Sequence, residues 1–412
     1  MLSDIEKVLY KLKEVRIINA IHNYASTLLT ILFGLSLLMI FQNVSTSFMG
    51  VSWMQGWEPK TILNGFMALL PFLTVISVGY YCAQAYKFET IHIIMMSLCL
   101  WTGIIYQSDR DFQAFLKIET LAGAIVLPVV SVLIYQGIER INSYLFKGTR
   151  KQIPTSIISS LKSILNLCFG LLVVFLIVIV IKAVGIDVIT PMHRILFEGV
   201  FKLYQYPVVF LIFVFMMQHF WYQGMHGDAL ISALFEPAII LATLFNMHAH
   251  ANGYEARFII NATFYTNFVA VSGAGLTGGL LLSYYLVRKE KRIDVLDNAS
   301  VSSVFNINEP LIFGIPIIMN DDFKMAFILA PMVTSTLAYF LTSIGLMKPY
   351  IYAVPWFIPF GIKGLIGTGG DLKTLLFEII LAIIVICIYL PATKKYVRNY
   401  KQQGELDGKS NL

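Results

Sequence analysis

The stretch Asn306-Ile307-Asn308-Glu309-Pro310-Leu311-Ile312-Phe313-Gly314-Ile315-Pro316 places one carboxylate and two amides beside two prolines in an otherwise apolar run. Proline removes a helical hydrogen bond and frees backbone groups. An ionised side chain in such a setting is costly unless it has a partner or a role. One reading is a re-entrant loop that presents Glu309 to a polar substrate. The other is an interfacial loop with a solvated glutamate.

A second polar patch, Gln218-His219-Phe220-Trp221-Tyr222-Gln223-Gly224-Met225-His226-Gly227-Asp228, ends an apolar run. A neutral imidazole both donates and accepts, which suits a hydroxylated ligand, and Gly227 allows close backbone approach. On residue type alone, His226 reads equally as an interface histidine. Glu236-Pro237 repeats the Glu-Pro pairing and suggests a second re-entrant element over about 229–246. Trp356, in Val354-Pro355-Trp356-Phe357-Ile358-Pro359-Phe360, offers a flat face for sugar C–H groups or an interfacial anchor. His248-Ala249-His250 lacks a third ligand at convincing spacing, so no metal site is assigned. The glycine-rich stretch from Gly361 to Asp371 lacks the Lys-Ser/Thr ending of a phosphate loop. No cofactor is expected. Four cysteines (Cys82, Cys99, Cys168, Cys387) lie in apolar runs and read as inert thiols.

The elements that must carry these residues are membrane helices. Of the 412 residues, 57% are hydrophobic and only 13% charged, and the mean hydropathy is +0.73. A soluble chain carries about a quarter charged residues. Runs such as Leu161 to Val184 are long enough to span a bilayer. They lack the alternation of barrel strands, so the expected class is an all-α polytopic membrane protein. Spans are expected near 25–42, 64–81, 91–107, 120–136, 165–185, 206–222, 258–287, 324–346 and 372–391. The 258–287 run is too long for one simple span and holds a break at Gly273, Gly275, Gly278 and Gly279. The pieces near 301–319 and 351–367 are short and interrupted.

The organisation expected is an interfacial amphipathic segment over 1–24, opened by a capping box at Ser3-Glu6. An N-terminal transmembrane scaffold or dimerisation part follows over 25–205, with an amphipathic connector at 137–163. A substrate part covers 206–391, and a tail covers 392–412. Basic residues gather at the N-terminus, at 140–162, at 288–292 and at 394–401. Such clusters face the cytoplasm, so both termini are expected there. Their loop placement is unlike a nucleic-acid footprint, and no nucleic-acid partner is expected.

Asn308-Glu309-Pro310 with Ile312-Phe313-Gly314 and Pro316 resembles the signature of enzyme IIC subunits of the bacterial phosphotransferase system, in the lactose/cellobiose/diacetylchitobiose branch. Met225-His226-Gly227, the small-residue stretch at 273–279, and Val354-Pro355-Trp356 with Thr368-Gly369-Gly370-Asp371 follow the same order of motifs. The resemblance covers roughly 200–391 and implies about ten transmembrane helices with re-entrant hairpins, a homodimer in the bacterial plasma membrane, and a β-linked disaccharide substrate. It implies contact with membrane lipid and a separate IIB partner, fed in turn by IIA and an HPr-type carrier. The phosphoryl group comes from a cysteine of IIB. Glu309 becomes the candidate catalytic base, and His226, Gly227, Asn306, Asn308, Glu309 and Trp356 the candidate sugar contacts. The part carrying them is expected to move against a fixed dimeric part. The chain departs from the pattern at His22-Asn23-Tyr24, where an Arg-Asp-Gly stretch is common, and at Asp321-Asp322, where Asn-Pro is common. A decoupled sugar facilitator or sensor therefore stays open. So does a membrane-embedded acyltransferase using His226 or His219 as base.

Overall fold

The computed structural model describes residues 15–44, 58–108, 115, 117–145, 155–287, 294–315 and 317–410. The capping box at Ser3-Glu6, the middle of the connector, the basic cluster at 288–292 and Pro316 lie outside the described residues. Among the described residues there is no β-strand. Apolar side chains dominate these runs, and in hydrocarbon a backbone must bond to itself, so helix is the form they take.

Fifteen helices are named here in chain order: α1 Arg16–Val44, α2 Pro59–Tyr86, α3 Thr90–Ser108, α4 Leu121–Leu145, α5 Thr155–Val184, α6 Ile189–Tyr204, α7 Pro207–Tyr222, α8 Gly227–Ala251, α9 Ala262–Phe268, α10 Gly278–Val287, α11 Asp294–Val304, α12 Glu309–Gly314, α13 Asp321–Ser343, α14 Ile362–Gly367 and α15 Leu372–Ser410. Seven helices among the described residues are long and apolar enough to cross a membrane, and eight if the broken pair α6 and α7 forms one span. Thr90–Tyr106 and Ala274–Val287 are apolar but shorter. The expected count of about ten is therefore not reached on length and apolarity.

Two expectations are corrected or refined. The 229–246 stretch is not re-entrant: it lies within α8, a continuous 25-residue helix with Pro237 inside it. Proline is tolerated within such helices because neighbouring groups satisfy the freed backbone. The 258–287 run divides at its glycines into α9, a short 3₁₀ turn at Ala274–Leu276, and α10.

The chain forms two compact units. The first comprises Met1–Leu28 and Thr61–Leu203, the second Leu29–Lys60 and Tyr204–Leu412. In the first, α3, α4 and α5 pack on one another. Gly103 of α3 faces Val178 of α5, and Gly170 of α5 faces Met96 of α3, where a Cβ would approach to 2.9 and 2.6 Å. Small residues at such contacts let membrane helices approach closely. Between α4 and α5, Asn142 donates to Asn166 at 2.6 Å in a buried pair. In the second unit α13 packs against both α7 and α15, and α10 lies along α15. Tyr284, Phe323, Phe327, Val385 and Tyr389 form its core.

Candidate functional site

Among its described residues the second unit contains several non-helical stretches, and their backbone groups must find partners wherever water is excluded. Side chains supply many of them. The Tyr350 carbonyl accepts from Asn246 and from Asn261, each at 2.9 Å. The Tyr352 carbonyl accepts from Thr263 at 2.7 Å. The Trp356 carbonyl accepts from Asn306 at 2.6 Å and from Lys363 Nζ at 2.9 Å. Ile358 accepts from the same Asn306 amide at 2.9 Å. On the donor side, the Ile351 and Tyr352 N–H groups reach the Gly367 carbonyl, and Ala353 N–H reaches Ser36. The 350–358 segment is thus built as an irregular strap held by amides, hydroxyls and one buried lysine.

Asn306 and Asn308 set the approach to Glu309. Asn306 has φ +65°, a left-handed conformation that asparagine tolerates better than most residues. Its Nδ2 binds the 350–358 strap, and its Oδ1 accepts from Ser272 N at 2.7 Å. Asn308 Nδ2 donates to the Ala274 carbonyl at 2.9 Å and to Thr277 Oγ1 at 3.2 Å. Gly273, at φ +86°, lies so close that a Cβ would be 2.1 Å from Asn308 Cγ. The two asparagines join the glycine-rich break, the strap and α12 into one scaffold. Both are buried, while Glu309, the first residue of α12, is exposed.

His226 is also exposed and serves as the N-cap of α8. Its Nδ1 accepts from Ala229 N at 3.2 Å. In the neutral ring this role assigns the proton to Nε2, leaving an N–H donor on the side away from the helix. The ring sits 4.3 Å from that of Trp221. Trp221 donates to Asp228 Oδ2 at 2.6 Å, and Tyr265 donates to Asp228 Oδ1. Gly227 is a packing residue: a Cβ there would lie 2.1 Å from the Met217 carbonyl oxygen of α7. The His226 turn and the segment after α12 are connected, since Met319 N donates to the Tyr222 carbonyl at 2.9 Å and Tyr222 Oη to Asp321 at 3.1 Å. Trp356 is 52% exposed and meets Phe357 edge-on.

Of the six sequence-derived contact residues, Glu309, His226 and Trp356 present exposed side chains. Asn306, Asn308 and Gly227 are spent on the scaffold. Residue type and spacing do not reveal Lys363, Tyr350 and Asn267. Glu378 is fully buried, and its Oε1 accepts from Tyr350 at 2.6 Å and Asn267 at 2.9 Å. A lone charge in an apolar run is the signal that points to it. The Thr368-Gly369-Gly370-Asp371 motif ends in a helix cap: Asp371 accepts from Thr374 N at 2.9 Å and Thr374 Oγ1 at 2.6 Å. Burial would raise the Asp371 pKa, but these bonds and Lys348 outweigh it and hold the carboxyl below its ordinary value. Among the described residues no group of three or more His, Cys, Asp or Glu side chains assembles.

A test separates the two roles of Asn306. Asn306→Gly keeps the left-handed backbone and loses the three amide bonds, whereas Asn306→Ala loses the bonds and adds strain of about 1–2 kcal/mol. Thermal unfolding in detergent should therefore rank wild type above the glycine variant and that above the alanine variant. Equal midpoints for all three would remove the scaffold role.

The family profile described as phosphotransferase system, EIIC, matches residues 23–331. The chain belongs to the EIIC family of the phosphotransferase system. Over 347 residues this EIIC is 26% identical to the oligo-beta-mannoside-specific EIIC component of Bacillus subtilis strain 168, covering 80% of this chain and 77% of that one. It is 32% identical to the lichenan permease IIC component of the same organism over 190 residues, covering 45% and 42%. It is 26% identical over 411 residues to the lactose-specific EIICB component of Streptococcus mutans, covering 94% and 70%. The crystal structure of ChbC, the IIC component from the N,N'-diacetylchitobiose-specific phosphotransferase system, superposes with a TM-score of 0.82. The match covers 97% of this chain and 98% of ChbC at 20% identity. The chain is thus a multi-pass membrane protein and a sugar permease subunit that works with a IIB component. The acyltransferase alternative is not favoured.

Proposed function

We propose that this EIIC translocates a β-linked disaccharide of the cellobiose, chitobiose or lactose type, coupled to phosphorylation by a separate IIB. The observation that carries the site reading is the contrast between an exposed Glu309 side chain and the buried, hydrogen-bonded asparagines that flank it. Glu309 accepts a hydrogen bond from the sugar hydroxyl that receives phosphate. As that oxygen attacks phosphorus, the O–P bond forms, the S–P bond to the IIB cysteine breaks, and the hydroxyl proton passes to Glu309. His226 Nε2–H donates to a sugar oxygen, and Trp356 offers a stacking face. The first unit serves as scaffold in a homodimer within the bacterial plasma membrane. Both termini and the basic loops face the cytoplasm, where IIB docks.

The test is titration of the purified protein with a disaccharide panel. Selective binding of β-linked over α-linked disaccharides is expected, and no binding to any sugar by folded protein would overturn the reading. His226→Asn keeps a capping oxygen for the Ala229 N–H but loses the Nε2 donor. It should weaken binding about tenfold, the cost of one neutral hydrogen bond of about 1 kcal/mol or slightly more. An unchanged affinity would remove His226 from the site.

A further inference from the structure

Trp356 combines an exposed indole with a firmly held backbone. Its carbonyl oxygen accepts twice, from Asn306 Nδ2 at 2.6 Å and from Lys363 Nζ at 2.9 Å. A backbone carbonyl has two lone pairs, so this acceptor is saturated. The Asn306 bond ties Trp356 to the segment that leads, three residues later, into Glu309. The Lys363 bond ties it to α14, of which Lys363 is the second residue. Lys363 Nζ also donates to the Thr266 carbonyl of α9 at 3.2 Å, and its backbone N–H donates to the Pro359 carbonyl at 3.1 Å. Within the loop, Ile358 N–H donates to the Pro355 carbonyl at 3.1 Å. One residue therefore closes the loop from 356 to 363 twice, by its main chain and by the tip of its side chain.

A lysine is an expensive choice for this task. Its side chain is buried, with the whole residue 1% exposed, and a buried lysine is costly unless paired. Neutral amides bind carbonyls elsewhere on the strap, as Asn246 and Asn261 do at Tyr350. Glu378 supplies the compensation, since it and Lys363 attract each other. The Glu378 carboxylate packs on Gly364, where an added Cβ would run into it. Glu378 is held in turn by Tyr350 and Asn267. The pair thus anchors the loop to α15, to α9 and to the start of the strap, while the Trp356 ring itself meets only Phe357 among the aromatic side chains. The indole owes its placement to its backbone.

We propose that Lys363 is a positioning residue for the sugar site: together with Asn306 it fixes the Trp356 carbonyl and so sets the indole relative to Glu309. The proposal rests on the reading of Trp356 as the stacking face. The test uses the full chain labelled with fluorotryptophan, in which Trp356→Ala assigns the Trp356 fluorine resonance among those of the five tryptophans. Lys363→Met alone leaves Glu378 buried without its partner and should lower the unfolding temperature. Lys363→Met combined with Glu378→Gln removes both and keeps the oxygen that Tyr350 and Asn267 use, so most of that loss should be recovered. In this double variant the Trp356 resonance should still shift or broaden, while that of Trp101 in the first unit stays. Disaccharide affinity should fall about threefold to tenfold, the range for a displaced aromatic contact. In a Trp356→Ala background the same two substitutions should cost no further affinity, because no indole remains to be placed. An unmoved Trp356 resonance would overturn the positioning role whatever the sugar result. Equal losses of affinity in both backgrounds would reduce Lys363 to a structural residue. Failure of folded wild type to bind any disaccharide would overturn the sugar reading and the site role of Lys363 with it, and the fluorine spectra would still decide whether Lys363 places the indole.

Discussion

Replacing Glu309 by glutamine should lower IIB-dependent sugar phosphorylation by about a hundredfold to ten thousandfold, the range for loss of a positioned general base. Sugar binding should fall far less, about tenfold, because an amide oxygen still accepts the hydroxyl hydrogen bond but carries no charge. The substitution is nearly isosteric, and Glu309 is exposed at the start of the six-residue α12. The scaffold beneath it, built from Asn306 and Asn308, is untouched. A split between phosphorylation and binding is therefore what distinguishes a base from a structural residue. The readouts are phosphosugar formation with purified phospho-IIB and calorimetric titration of the same protein with disaccharide. If phosphorylation stays within a few-fold of wild type, Glu309 is a binding group only. If both readouts fall by the same factor, its role ends at holding the sugar.

Gly227→Ala should be among the most damaging single-methyl additions in the chain. The new Cβ would lie 2.1 Å from the Met217 carbonyl oxygen, 2.9 Å from the Met217 carbonyl carbon and 2.9 Å from Trp221 Cδ1. Two of these atoms are backbone of α7, so no side-chain rotation relieves the clash. The α7–α8 packing must open, at a cost of about 3 kcal/mol. The damage extends to the site, because α8 begins at Gly227 and His226 is its cap. Gly137→Ala is the matched control: Gly137 lies within α4 with nothing within 4 Å of the added Cβ. It should be neutral or stabilising by about 0.5–1 kcal/mol, since alanine loses less entropy than glycine in a helix. Thermal unfolding in detergent measures both. A Gly227→Ala midpoint equal to that of wild type would mean that α7 and α8 do not approach as described.

The residues alone determine the physical class and the chain's principal breaks. Apolar runs with few charges admit only helices in a bilayer, and the glycines at 273–279 interrupt one such run where α9 gives way to α10. The pairing of Glu309 with Pro310 falls in the first turn of α12, a six-residue helix where the local pattern suggests a loop. The same Glu-Pro pairing at Glu236-Pro237 misleads, because α8 passes through it unbroken. Proline weakens one helical bond, and whether the helix survives depends on neighbours that local sequence does not name.

The asparagines show the limit most sharply. An amide in an apolar run announces that a partner exists, but not which one. Asn306 reaches carbonyls about fifty positions away, Asn308 reaches Ala274, and Asn246 reaches Tyr350. Local pattern carries no such long-range address, so amides that brace the backbone look the same in sequence as amides that await a ligand. Glu378, Asn267 and Tyr350 meet only when α9, α15 and the 350–358 strap are packed. Composition and periodicity thus set what the chain is made of, helices in a membrane with breaks at Gly and Pro. Tertiary structure alone decides which polar groups are consumed by those breaks and which remain exposed for a substrate, because that depends on contacts between segments far apart in the chain.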